Sequence, residues 1–113
     1  MPVFRKILPL FLAAPLLVVQ GNARAQNDTF TLTIKDHQFS PATLEVPAGK
    51  KFQLTVKNLD STPEEFESDS LRREKIIPGG KEAVISIGPL KPGTYPFKGE
   101  FNPKTAQGSL KAQ

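Results

Sequence analysis

The clearest order in this chain is a two-residue alternation of apolar and polar side chains. In TFTLTIK (Thr29 to Lys35), Phe30, Leu32 and Ile34 fall on one face. KFQLTVK (Lys51 to Lys57) repeats the arrangement with Phe52, Leu54 and Val56. EAVISIG (Glu82 to Gly88) sets Ala83, Ile85 and Ile87 on one side and Val84 with Ser86 on the other. TYPFK (Thr94 to Lys98) and SLKA (Ser109 to Ala112) are shorter segments of the same kind. Successive side chains of an extended chain point to opposite faces, so this period, enriched in β-branched and aromatic residues, predicts strands. Pro47-Ala48-Gly49, Pro78-Gly79-Gly80 and Lys91-Pro92-Gly93 supply turn chemistry between them. About seven to eight short strands at this spacing predict an all-β sandwich. One short helical turn is predicted over Ser68 to Lys75, capped by Ser68 or Asp69 and anchored by Leu71. Before Thr29 and beyond Leu110 the chain is expected to be loose.

The first residues follow a different rule. Arg5 and Lys6 precede an apolar run from Ile7 to Val19, and Ala23-Arg24-Ala25 offers a small-x-small cleavage site. That run is too short for a bilayer core, which takes about 20 helical residues to cross. Residues 1–25 therefore read as a cleaved secretory leader, with 26–113 as one exported domain that does not insert in the membrane. No cysteine follows the apolar run, so a lipid anchor on a lipobox cysteine is excluded. Removing the leader changes the charge. The chain has 15 Lys and Arg against 11 Asp and Glu, a net of +4, and losing Arg5, Lys6 and Arg24 brings this to +1. No basic run with interleaved aromatics remains, which removes the usual footprint of nucleic-acid binding. What remains is local: Glu64, Glu65, Glu67, Asp69 and Glu74 lie close together, interrupted by Arg72 and Arg73.

From Thr31 to Leu110 the sequence resembles the EfeO-type cupredoxin-like domains, and most closely their small stand-alone periplasmic versions. The resemblance rests on Lys35-Asp36-His37-Gln38-Phe39-Ser40-Pro41, Pro63-Glu64-Glu65-Phe66-Glu67-Ser68 and Leu71-Arg72-Arg73-Glu74-Lys75. It continues through Gly88-Pro89-Leu90, Gly93-Thr94-Tyr95-Pro96-Phe97, Gly99-Glu100-Phe101 and Thr105-Ala106-Gln107-Gly108. It implies a cupredoxin-like Greek-key sandwich in the periplasm and a part in acquiring ferrous iron, with copper-assisted oxidation of Fe(II) proposed for the group. The implied partners are a periplasmic iron-binding protein and an inner-membrane iron permease. Similar chains often carry a histidine where this one has Asn102.

The chemistry of the chain narrows this. There is no cysteine, a single histidine (His37) and a single methionine (Met1). A trigonal His/Cys/His site with a weak axial Met, the type 1 blue-copper centre, is excluded. In a cupredoxin sandwich the metal site lies at one end, where the segment after Asn58-Leu59-Asp60 meets the loop after Phe97. Candidate ligands are therefore Glu64, Glu65, Glu67, Glu100 and His37, followed by Asp36, Glu74 and Asn102. Carboxylates with one imidazole suit Fe(II), Fe(III), Mn(II) or Cu(II), so the expected cofactor is an iron or copper ion. Phe66 is expected to point into the core, leaving Glu65 and Glu67 about 7 Å apart on the opposite face. A one-residue shift of register exchanges Glu64 and Glu65, so the sequence leaves open which of them faces the site. Two other readings stand beside the metal site: a solvated acidic edge strand, and a metal-free module that docks through its acidic face, with Arg72, Arg73 and Lys75 as the balancing cations. No Ser-His-acid constellation is visible, so a hydrolase has no support.

Overall fold

The alternating segments form strands in the computed structural model, which describes residues 28–113; the expected leader and its cleavage point lie outside the described residues. Nine strands follow one another: β1 (Thr29–Lys35), β2 (Gln38–Ser40), β3 (Thr43–Val46), β4 (Phe52–Asn58), β5 (Glu64–Ser68), β6 (Arg73–Ile77), β7 (Glu82–Ile87), β8 (Gly93–Gly99) and β9 (Gln107–Ala112). They make two sheets, ordered β2-β1-β4-β7 and β3-β9-β8-β5-β6. β1 lies parallel to β4 and β3 parallel to β9, while the remaining pairs are antiparallel.

The inner faces carry the residues the alternation selected. Leu32, Ile34, Leu54, Val56, Ile85 and Ile87 from one sheet meet Phe66, Ile77, Phe97 and Leu110 from the other, all buried. Phe39 of β2 joins the layers, standing edge-on to Phe97 at 4.9 Å and to Phe66 at 6.2 Å. Each such side chain contributes roughly 1.5–3 kcal/mol through burial. With no cysteine in the chain, this core holds the two sheets together without a disulfide.

Two sequence expectations are corrected. Residues 68–75 form a tight turn and then a strand, not a helical turn. The Ser68 hydroxyl accepts from Leu71 N at 3.2 Å and Arg72 N donates to Asp69 O at 3.1 Å, so the capping contact is real. Arg72, however, has φ of 56°, which ends the helical path. From Arg73 the chain runs back along β5, where its backbone groups find ladder partners. The C-terminal tail is also tied down: β9 extends to Ala112, and Gln113 N donates to Val46 O at 3.1 Å. Parallel pairing with β3 uses every residue as far as Ala112. Just before β1, Asp28 O accepts from Gln53 N at 2.9 Å.

The order of strands also removes the acidic edge. β5 lies inside its sheet between β8 and β6, and β6 is the edge. Arg73 of β6 reaches across to the other sheet, its Nε donating to Ser86 O of β7 at 3.0 Å.

One end of the sandwich gathers the segments of interest. β1 and β4 both finish there, in register at Ile34 and Asn58, while β5 begins there and β8 ends there at Gly99. Asn58, 1% exposed, organises this end. Its amide donates to Thr62 O at 2.8 Å and to Ile77 O at 2.9 Å, and its Oδ1 accepts from Asp60 N at 3.0 Å. The loop that delivers Glu64 is thus built on one side chain. Replacing Asn58 with alanine strands the buried Ile77 carbonyl and releases the loop carbonyl of Thr62, and urea denaturation should show a loss of about 2–3 kcal/mol. Asn58→Asp, which keeps the acceptor but loses both donated bonds, should cost at least as much.

Candidate functional site

The candidate residues share an end of the sandwich, but the structure divides them among three settings. The first is buried. Glu64 opens β5 on the same inward face as Phe66 and is 1% exposed. Its Oε1 accepts from Glu65 N at 3.0 Å and from Phe101 N at 2.9 Å, and its Oε2 accepts from the Asn102 amide at 2.8 Å. The carboxylate lies close beside Gly99. A Cβ added at Gly99 would stand 2.5 Å from Glu64 Cδ and 2.7 Å from Ala106 Cβ. Asn102 also holds the loop through its backbone, Asn102 N donating to Gly99 O and Asn102 O accepting from Ala106 N at 2.9 Å.

The second setting is the outer face of the same sheet. Alternation turns Glu65 and Glu67 outward from β5, and the register sets Glu74 of β6 directly opposite Glu67 on one side and Lys98 of β8 opposite it on the other. Glu100 follows Lys98 at the end of β8 and is fixed by its N–H donating to Glu65 O at 2.8 Å. Lys98 Nζ stands 3.3 Å from Glu100 Oε1. Glu67 is held above the ordinary carboxylate range, first by its hydrogen bond to Glu100, then by partial burial and by the Glu100 charge, with Lys98 opposing. Glu100 is correspondingly lowered by the bonds from Glu67 and Lys98. Glu67 and Glu100 thus perturb one another in opposite directions, with Lys98 beside both. Glu65 is raised too, by partial burial and then by the charges of Glu74, Glu100 and Glu64. An open groove of about 400 Å³ runs beside this group between Glu67, Pro96, Lys98 and Gln107.

The third setting is the two-residue turn from β1 to β2. Asp36 and His37 have φ of 53° and 58°, the mirror-image turn that suits the twist of a hairpin. Both turn N–H groups are taken by Asp60, from Asp36 N at 2.7 Å and His37 N at 3.0 Å. These bonds, that from His37 N first, hold the Asp60 carboxyl below its ordinary range, assisted by the His37 and Lys35 charges. The His37 imidazole rests 3.6 Å from the same carboxylate and is 46% exposed.

Among the described residues, no group of three or more His, Cys, Asp or Glu side chains converges as a ready metal site. The expected set of Glu64, Glu65, Glu67, Glu100 and His37 is thus distributed, with Glu64 engaged inside and His37 with Asp36 on the turn. Glu65, Glu67, Glu74 and Glu100 form the outer group, and Asn102 belongs with Glu64. Of the expected balancing cations, Arg73 lays its guanidinium on the carbonyls of Leu71, Arg72 and Ser86, while Arg72 lines an open hollow with Glu67 and Glu74; Lys98 is a further cation among the acids. Sequence reasoning missed Lys98, although the spacing of Lys98 and Glu100 about the inward Gly99 puts both on one face. It also missed Asn58 and Asp60 as builders, residues whose side chains commonly close turns.

A two-sheet sandwich of this order, with its end loops gathered around one buried position, defines the cupredoxin architecture. The chain belongs to the cupredoxin-like domain family, whose pattern matches residues 8–112. It is 43% identical over 105 residues to an uncharacterized protein of Rickettsia prowazekii (strain Madrid E), covering 89% of this chain and 84% of that one. Among solved structures it resembles a purple cupredoxin from Nitrosopumilus maritimus, with a TM-score of 0.58 and 19% identity over 74% of this chain and 98% of the other. It also resembles auracyanin A, a "blue" copper protein from Chloroflexus aurantiacus, with a TM-score of 0.64 and 12% identity over 75% and 98% of the two chains. At these identities the two structures attest the fold alone.

A blue-copper centre does not fit the residues present. There is no sulfur ligand among residues 28–113, the one imidazole sits on a turn beside Asp60, and the buried centre presents N–H groups already bonded to an oxygen pair.

Two outcomes follow from this geometry. Gly99→Ala should cost about 3 kcal/mol in denaturant titration, because the new methyl group enters space held by the Glu64 carboxylate. Glu67→Gln should raise Tm at neutral pH, since it removes a carboxylate charge beside Glu100 and Glu74 and supplies a permanent donor to Glu100. A carboxyl raised by folding weakens the fold as pH climbs through the ordinary carboxylate range. The gain should therefore be full at neutral pH and vanish as pH falls below that range, and thermal melts across pH will show it.

Proposed function

We propose that this chain is an exported, periplasmic accessory protein of a bacterial iron-uptake system, and that its working surface is the outer acidic face. Glu65, Glu67, Glu74 and Glu100 would hold an iron or copper ion weakly there. The ion would pass between a periplasmic iron-binding protein and the inner-membrane permease. The observation that carries this reading is the crowding of four carboxylates on neighbouring strands beside the ammonium group of Lys98, close enough that Glu65 and Glu67 are both held above the ordinary carboxylate range. An all-oxygen set suits hard and borderline ions and releases them readily. It offers copper no soft ligand, so we assign the face ion carriage ahead of electron transfer. The EfeO-type resemblance of the Pro63-to-Lys75 region supplies the iron-uptake context.

A second reading has its own observation behind it. The four carboxylates do not converge as a ready ion site, which suits a metal-free module that docks on basic surfaces of the transporter through the same face. Calorimetric titration of the chelator-stripped protein with Cu(II), and with Fe(II) under anaerobic conditions, separates the two. For an ion carrier, a stoichiometric isotherm is expected, weakened about tenfold or more in Glu65→Gln/Glu67→Gln, equivalent to about 1.4 kcal/mol. Absence of uptake by the wild type leaves the docking module, and uptake that survives the double substitution places the ion elsewhere.

A further inference from the structure

The buried end of the sandwich is polarised for an anion. Every group directed at its centre is a donor: Glu65 N from β5, Phe101 N from the loop and the Asn102 amide. Among the described residues, no Lys, Arg or His ion pair to Glu64 accompanies them. The Glu64 oxygens take all three bonds, and Gly99 and Ala106 leave no room beside them, since even a methyl group at Gly99 would overlap Glu64 Cδ. A cation placed there would face three N–H dipoles from their positive ends, whereas a carboxylate meets them at hydrogen-bonding distance.

We propose that Glu64 is a built-in anion, bound by its own chain at a closed site, and that this site takes a small carboxylate and rejects a metal ion. Glu64 is then a positioning residue. By accepting from Phe101 N and the Asn102 amide it sets the path of the loop beyond Glu100, which is itself fixed through its N–H to Glu65 O. The inference concerns the buried centre alone, so it stands or falls apart from ion carriage on the outer face.

Chemical rescue tests it. Glu64→Ala deletes four heavy atoms, the Cγ, Cδ and two oxygens, which is the complement of acetate. The variant should lose on the order of 10 °C in Tm. Sodium acetate should restore more than half of that loss. Sodium chloride at matched ionic strength and acetamide, its neutral isostere, should restore little, and the wild type should show no preference among the three. Equal rescue by acetamide would mean that shape and not charge fills the site, and absence of acetate rescue in a folded variant would also overturn the proposal.

Two further variants keep the test decisive if Glu64→Ala does not fold. Asn102→Ala removes one donor of three, and should lower Tm while leaving Cu(II) and Fe(II) isotherms as in the wild type. Glu64→Gln should likewise keep whatever ion stoichiometry the wild type has. Loss of ion uptake in Glu64→Gln with the outer carboxylates intact would make Glu64 a ligand and sink the closed-site reading. A wild type that takes up no ion removes the carrier function and leaves the acetate result to decide this inference.

Discussion

Three N–H groups closing on one buried carboxylate set the terms for this end of the molecule. An ionised carboxylate taken out of water without partners costs several kcal/mol, and the fold meets that cost by arranging its backbone around Glu64. One donor comes from the strand that carries the residue, and two come from the loop that returns from β8. The loop has no freedom to wander, because Phe101 and Asn102 must both present hydrogens to the same group. Gly99 must lack a side chain for the carboxylate to lie where it does. Glu100, one residue before this loop, is held separately by its N–H to Glu65 O, so the inner bond set and the outer charge pattern meet at adjacent residues.

Much of the architecture was legible because alternation of period two is a direct record of which face is buried. Leu32, Ile34, Phe52, Leu54, Val56, Ile85 and Ile87 were selected on that basis, and all are buried. The 68–75 segment misled for a physical reason. Ser68 caps and Leu71 anchors as a helix start would, yet the left-handed conformation at Arg72 depends on β5 being available as a pairing partner, a tertiary fact. The edge strand of charged residues exists too, but it is β6, since the sheet order decides which strand is outermost. Short strands such as β2 and β3 carry too few residues for any period to show.

The candidate site was legible in composition and less so in arrangement. The absence of cysteine excluded a type 1 centre at once, and the carboxylates stood out as a group. Which oxygens are satisfied internally is another matter, because Glu64 and Glu65 are neighbours in sequence and opposites in environment. Glu64 is in the core with three donors, while Glu65 looks outward among like charges. Asn58 and Asp60 make the same point. Each is an ordinary turn residue in the sequence; in the fold Asp60 holds two backbone N–H groups of the β1–β2 turn, and Asn58 ties its own loop at Thr62 to the end of β6 at Ile77.

The reach of Arg73 from β6 to Ser86 O has a consequence for the molecule in company. Those two strands are the open borders of opposite sheets, lying on the same flank. Unpaired strand borders invite a second chain to add on, the first step of ordered aggregation. A single guanidinium occupies an acceptor on one border while standing on the other, and so places a fixed positive charge over both. A small protein with no disulfide opens more often than a cross-linked one. Here one side chain makes the flank a poor template for a neighbour of the same sequence, which meets it with the same charge. Colloidal durability in a crowded solution is thus built into the contact that also fastens the two layers together.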